Sequence, residues 1–375
     1  MNFLNRTNLE RNAALFLAAL LLLFLSGCGG APEETALPQT ETGEEAAVPQ
    51  TETGEEAAVL QGETGPEETA VPQDETGPES PDSTEIRVAA LKGPTAMGLV
   101  KLMSDAGSSG NYVFTLAASP DEVAPRLIQG ELDVACIPAN LAAVLYNRTG
   151  GEIVTLAVNT LGVLYIVENG NAVQSMEDLR GMTIAASGKG STPEYALYYL
   201  LRQNGLEPDI DVTIDWKSEH SECVSALATG NATVALLPQP FVTVAQNQLE
   251  DLRVALDLTW EWDALQNGSA LITGVAAARR SFVEEHPEAV AQFLNAYAAS
   301  VEWVNANVTD AAELIGAADI VPAPIAEKAL PYCNIVCVSG EEMRAILPGY
   351  LETLYNAAPD SIGGALPESG FYYNA

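Results

Sequence analysis

Strand and helix signals alternate along most of this chain, and the alternation runs its course once and then begins again. Branched and aromatic residues mark strands over 86–91, 112–117, 134–137 and a pair within 153–167, with helical patterns over 94–106, 120–129 and 141–146 between them. After a short helix at 176–180 the order restarts, with strands over 183–186, 212–217, 234–237 and 254–258 and helices over 193–204, 223–229 and 241–248. A strand over 271–277 precedes the clearest helix, 287–305, whose Val290, Phe293, Leu294, Tyr297, Val301 and Val304 recur on one stripe. Two more helices, 325–330 and 341–357, complete the pattern. Such alternation predicts an α/β fold with mostly parallel sheets, and its repetition predicts two lobes.

Each unit opens with a strand, a glycine turn and a helix. In the second unit the turn is Ser187-Gly188-Lys189-Gly190-Ser191-Thr192. A nucleotide-phosphate loop needs a glycine, four residues and then Gly-Lys-Ser/Thr. Here Gly190 follows Lys189 and the nearest glycine before Gly188 is Gly181, so that reading fails on spacing. Ser191 with Glu194 fits a capping box, and Pro193 suits a first helical turn. In open α/β sheets ligands collect beyond the carboxyl ends of strands. Three turns there share a character: Lys92-Gly93-Pro94-Thr95, Pro138-Ala139-Asn140 and the loop from Ser187 to Thr192. Each sets small or hydroxyl residues where free helix N–H groups favour an acceptor-rich or anionic group. Lys92 and Lys189 flank two of these turns, placed either to balance an anion or to point into solvent.

The N-terminal region reads differently. Arg6 and Arg11 precede an apolar run over 13–25 that is short for a bilayer span and right for a secretory signal core. It ends at Leu25-Ser26-Gly27-Cys28, which resembles a bacterial lipoprotein signal, so residues 1–27 are expected to be removed and Cys28 lipidated as the membrane anchor. From Gly29 to Thr84 there is no Lys or Arg, and Glu-Thr-Gly recurs at 41, 52, 63 and 75. That composition cannot bury enough apolar surface to offset chain entropy, so residues 28–84 are expected to form a disordered acidic tether. Of the net charge of −35, residues 86–375 hold 34 acidic against 14 basic side chains. A folded part this acidic argues against nucleic acid and against adsorption to anionic lipid.

Taken in order, these turns, the stretch "LPQPFVT" at 237–243 and "GVAAARRSFVEEHPEAVAQFLNAY" at 274–297 resemble solute-binding proteins of ABC importers, in the branch named for nitrate, sulfonate, taurine and thiamine-pyrimidine uptake. The likeness covers roughly 86–375. It implies a two-lobed type 2 periplasmic-binding-protein fold, with residues 85–170 and 268–375 forming one lobe and 171–267 the other. Two hinge strands would cross near 168–172 and near 266–269. It further implies a lipid-anchored monomer on the outer face of the cell membrane that closes on a small organic anion and passes it to a permease served by a cytoplasmic ATPase. Carried over by position, the ligand contacts would be Lys92, Gly93, Pro94, Thr95, Met97, Asn140, Asn159, Ser187, Lys189, Gly190, Ser191, Thr192 and Gln239.

Other readings stay open beside it. A planar heterocycle such as a thiamine pyrimidine would seek Trp260, Trp262 or Tyr195 as a stacking face. A tethered sensor would share every feature above. An enzyme related to thiamine-pyrimidine synthases would carry adjacent cysteines, which this sequence lacks. Neither a Ser/His/Asp arrangement nor metal-ligand spacing stands out, so no catalytic residue, metal or cofactor is expected. Cys136, Cys223, Cys333 and Cys337 are expected to be free thiols, although a bridge between the last two is conceivable in an exported protein. His220 and His286, the only histidines, are expected to be structural.

Overall fold

The computed structural model describes residues 84–107 and 111–374, so the expected leader, Cys28 and the tether lie outside the described residues. The described chain builds two sheets. The first contains β1 (Ile86–Leu91), β2 (Tyr112–Ala117), β3 (Val134–Pro138), β4 (Ile153–Leu161), β10 (Ile272–Arg279) and β11 (Ile335–Ser339), in the order β11-β4-β10-β3-β1-β2. The second contains β5 (Leu164–Asn169), β6 (Thr183–Ser187), β7 (Thr213–Lys217), β8 (Val234–Pro238) and β9 (Leu252–Asp257), in the order β7-β6-β8-β5-β9.

The α/β, two-lobed expectation describes this architecture, but the sheets are mixed rather than mostly parallel. β1 runs parallel to β2 and β3, and β6 parallel to β7 and β8, as strand-helix-strand units require. β10 runs antiparallel to β3 and β4, and β5 antiparallel to β8 and β9, because β5 and β10 enter their sheets from the hinge. The first crossing also lies earlier than expected. β5 pairs within the second sheet, so the chain changes lobe at Gly162-Val163 and not near 168–172. It returns between the helix Leu258–Ala264 and β10.

Sequence periodicity placed most elements within a few residues. The helix expected over 94–106 is two, α1 (Pro94–Met97) and α2 (Val100–Ala106). They are separated where Gly98 passes so close to its neighbours that an added Cβ would lie 2.9 Å from Ile335 Cγ2. The helix Val308–Ala317 and strand β11 carried no distinct signal, being an alanine-rich stretch and a short edge strand.

Helices α3 (Pro120–Ile128) and α4 (Ala139–Thr149) flank the first sheet, and α5 (Thr192–Gln203), α6 (His220–Ala228) and α7 (Phe241–Gln248) the second. The helix α8 (Leu258–Ala264) leads back to the first lobe, where α9 (Arg280–Glu285), α10 (Pro287–Ala306), α11 (Val308–Ala317), α12 (Ala323–Ala329) and α13 (Gly340–Ala357) complete it. The stripe foreseen on α10 is buried in full, each large side chain contributing about 1.5–3 kcal/mol relative to exposure.

Both sheets carry a buried carboxylate at the end away from the hinge. Asp133, just before β3, receives Nη2 of Arg87 and of Arg279 at 2.7 Å each. Burial alone would raise its pKa, but the hydrogen bonds from Arg87 and Arg279 outweigh that and hold the carboxyl below its ordinary range. At the end of β5, Glu168 accepts from Arg253 at 2.5 Å and from the N–H of Ala172 at 2.7 Å. All four cysteines in the described residues are free, so Cys333 and Cys337 are not bridged. Burial pushes the Cys136 and Cys333 thiols up to about 12, which keeps them protonated and inert. Among the described residues no helix is long and apolar enough to cross a membrane.

Candidate functional site

Strand direction alone brings the candidate residues to one place. β4 ends at the hinge and runs parallel to β3 and β1, since both β3 and β4 pair antiparallel to β10. The carboxyl ends of β1, β3 and β4 therefore point the same way, toward the second lobe. β5 starts at the hinge and pairs antiparallel to β8 and β9, with β6 parallel to β8, so the carboxyl ends of β6, β8 and β9 point back toward the first lobe. The turns after these strands face each other across the seam between lobes, the region that switches of strand direction make available to ligands.

From the first lobe, Asn140 opens α4 and is 2% exposed; its Nδ2 donates to the Ser361 carbonyl at 3.1 Å. From the second, the Thr192 hydroxyl donates to Asn140 Oδ1 at 3.3 Å. The two lobes touch here through one side chain each. Further contacts join them: the Tyr165 hydroxyl donates to the Tyr332 carbonyl at 3.1 Å, and Lys328 Nζ donates to Asn247 Oδ1 at 2.9 Å. Trp262 lies between Tyr199 and Tyr350, with ring centroids at 4.8 and 5.7 Å and each pair of planes tilted by 46°.

Asn159, at the inner end of β4, is fully buried, its Oδ1 accepting from Thr160 at 3.1 Å and its side chain lying against the Cys136 thiol and the Tyr297 hydroxyl of the core. It lies against Thr95 where β10 carries a glycine: a Cβ on Gly274 would lie 2.5 Å from Asn159 Oδ1 and 2.8 Å from Thr95 Cγ2. Thr95 in turn bonds the Leu91 carbonyl at 2.8 Å. Gly93 takes φ of +133° to start α1 at Pro94, and Met97 is buried with its sulfur 3.9 Å from Cys333.

In the second lobe Ser187 is buried and its hydroxyl lies 2.5 Å from Nδ1 of His220, the first residue of α6. Burial lowers the His220 pKa to about 4, so the ring is neutral at ordinary pH, and it rests against Phe241 at 5.0 Å. His220 thus stands directly behind a candidate ligand contact, which its place in "KSEHSE" did not reveal. Gln239, on a cis peptide with Pro240, accepts from the Thr243 hydroxyl at 2.9 Å, and its N–H donates to the hinge carbonyl of Val163 at 3.1 Å.

The glycine loop itself closes on its own atoms. Ser191 does not cap α5 as expected; its hydroxyl donates to the Gly188 carbonyl at 3.1 Å, and Glu194 accepts instead from the Gly190 N–H at 2.5 Å. Gly188 adopts φ of +84° with Pro193 so near that a Cβ would sit 2.9 Å from its Cγ. Lys92 pairs with Asp319 at 2.8 Å, a partner on the connection between α11 and α12, and Lys189 is exposed. Trp262 is core and Trp260 is 75% exposed, so neither forms a stacking wall at the strand ends. A separate groove of about 770 Å3 runs between α5 and α13 over Asn267 and Gly268, behind the seam.

Comparison with known proteins agrees with this fold. A family profile for the ABC transporter, phosphonate, periplasmic substrate-binding protein matches residues 109–324, more than half of the chain. An ABC transporter protein from Parabacteroides distasonis superposes with a TM-score of 0.66 at 23% identity, covering 78% of this chain and 99% of that one. The periplasmic aliphatic sulphonate binding protein of Escherichia coli gives 0.60 at 17% identity over 77% and 92%. The periplasmic nitrate-binding protein of Synechocystis gives 0.51 at 15% identity over 66% and 69%. At these identities the superpositions establish the fold. No curated protein matches.

Proposed function

Because the chain belongs to the family of phosphonate-type periplasmic substrate-binding proteins of ABC transporters, we propose that it captures a small polar solute between its lobes, outside the cytoplasm, and hands it to a membrane permease driven by a cytoplasmic ATPase. The observation that carries this reading is the meeting of Asn140 and Thr192 across the seam, at the strand ends where both sheets present their polar turns. Contacts to solute made by both lobes exist only when the lobes are together, so binding shifts the population toward the closed form, which the permease recognises. The expected signal and lipidated Cys28 would hold the protein at the membrane, and no bond-making step is involved.

The candidate contacts are Thr95, Asn140, Asn159, Ser187, Thr192 and Gln239, with the Gly93-Pro94 and Gly188 to Ser191 turns shaping the walls. Similarity to proteins named for sulphonate and nitrate makes a small oxyanion the first class to examine. A planar heterocycle is less well served, since Trp262 is committed to the core.

The test is equilibrium dialysis of the full chain against an aqueous cell extract, followed by mass spectrometry of what is retained. One small molecule should be enriched by the wild type and lost with Thr192→Arg, which fills the seam. Retention of nothing above the bulk concentration would refute capture.

A further inference from the structure

The geometry points to a second binding site, separate from the seam, in which Arg280 and Arg344 hold a phosphate or phosphate monoester at the outer end of the first lobe. A surface cavity of about 280 Å3 lies there between α9, α13 and the chain from Ser369 to Asn374, with both arginines in its wall. Arg280 follows the outer end of β10, and Val154 near the outer start of β4 lines the same cavity, so the site and the seam lie at opposite ends of the first sheet. Among the described residues six other arginines pair with a carboxylate, whereas Arg280 and Arg344 pair with none. This is so although residues 86–375 hold 34 acidic against 14 basic side chains. Glu284 is the one acidic residue in the wall; it is exposed and forms no ion pair with either arginine.

Backbone carbonyls hold both side chains in place. Arg280 Nε donates to the Gly151 carbonyl at 2.7 Å and its Nη2 to the Gly370 carbonyl at 2.9 Å, while Arg344 Nη2 donates to the Tyr372 carbonyl. A carbonyl orients a guanidinium without neutralising it, and most of the five N–H groups on each remain unspent. Arg344 Nε is buried and has no hydrogen-bond partner. The two anchoring residues, Gly370 and Tyr372, are separated by a stretch the chain spans in at most about 7 Å, which brings both guanidinium groups to one small cavity. A carboxylate has a single oxygen–oxygen edge for an arginine fork, whereas a phosphate has three terminal oxygens and offers a separate edge to each of two forks. Two positive charges also suit its charge of about −1.5 to −2 at neutral pH. Once filled, the site would tie α9 and α13 to the terminal segment, which already meets β4 where the Tyr373 N–H donates to the Thr155 carbonyl at 2.9 Å.

The experiment is calorimetric titration of the full chain in low salt with inorganic phosphate, glycerol 3-phosphate and acetate. Thr192→Arg fills the seam, so phosphate that this variant still binds is held elsewhere. Binding is expected to persist in Thr192→Arg and to weaken about tenfold or more in Arg280→Gln/Arg344→Gln. Because these arginines also brace backbone carbonyls, Arg344→Lys is the second variant: it keeps the charge and gives up the fork, and should weaken phosphate binding with the unfolding midpoint of the free protein unchanged. Acetate should not displace phosphate. Tighter binding of glycerol 3-phosphate than of inorganic phosphate would support the site and identify an ester as its source; equal or weaker binding would support it and identify the free ion. Phosphate binding abolished by Thr192→Arg, or intact in both arginine variants, would overturn the inference, as would binding of neither phosphate by the wild type. None of these outcomes bears on what the seam captures.

Discussion

The outer and inner ends of the two sheets are built from different chemistry, and the contrast shows what each end is for. At the outer ends, the buried carboxylates are fully paired: Asp133 is met by two arginines, and Glu168 takes Arg253 and two backbone N–H groups from Ala172 and Val173. At the inner ends, neutral groups hold one another loosely, as in the 3.3 Å contact between Thr192 and Asn140. A paired buried charge is expensive to disturb, whereas a neutral polar group exchanges partners at small cost. The outer ends therefore fix the lobes, and the inner ends are free to trade a contact with each other for a contact with solute.

Four measurements break or sharpen that contrast. The largest effect is expected for Asp133→Ala, which leaves Arg87 and Arg279 facing each other unpaired; it should cost about 3–4 kcal/mol in urea unfolding. Its folded fraction should retain solute with unchanged affinity. An affinity loss as large as the stability loss would erase the division between ends.

Acid comes next. His220 is neutral and half-buried with a pKa of about 4 against 6.5 when exposed, so the unfolded chain binds the extra proton between those values. Its contribution is complete above pH 6.5 and is lost as pH falls toward 4, amounting to at most about 3 kcal/mol. Comparing the pH dependence of unfolding with that of His220→Phe isolates the term; identical slopes would mean that the ring is not buried neutral.

Gly274→Ala should be milder in stability and sharper in function. The new methyl must push Asn159 and Thr95 from their places, at a cost of about 1–3 kcal/mol. Dialysis should show solute affinity down about tenfold or more, the equivalent of about 1.4 kcal/mol. Normal affinity would place the solute away from β10. The smallest effect belongs to Lys189→Ala, within about 0.5 kcal/mol in stability and without change in affinity, as for an exposed residue apart from the chemistry.

Much of the architecture was legible because its signals are local. The stripe on α10, the strand-turn-helix order and the restart after residue 176 depend on side-chain period and turn residues, which neighbours in sequence supply. The misplaced hinge shows the limit. β4 and β5 form a nearly continuous apolar run, and only their pairing in different sheets shows that the chain changes lobe at Gly162-Val163. The site followed the same rule. Thr192 and Asn140 were named from turn chemistry, but the Ser187–His220 contact joins residues 33 apart that share no motif. The partner of Lys92 was hidden for an equivalent reason: Asp319 is 227 residues away.

By itself, then, the sequence determined that this chain would layer helices on strands in two rounds and set small polar residues where helices begin, because period and turn chemistry act over a few residues. The tertiary structure alone decided which of those residues meet and which charges are withdrawn from them. Strand direction, which is settled by pairing between distant segments, turns the carboxyl ends of β1, β3, β4, β6, β8 and β9, and those of their parallel neighbours β2 and β7, toward one seam and sends the buried ion pairs to the opposite ends.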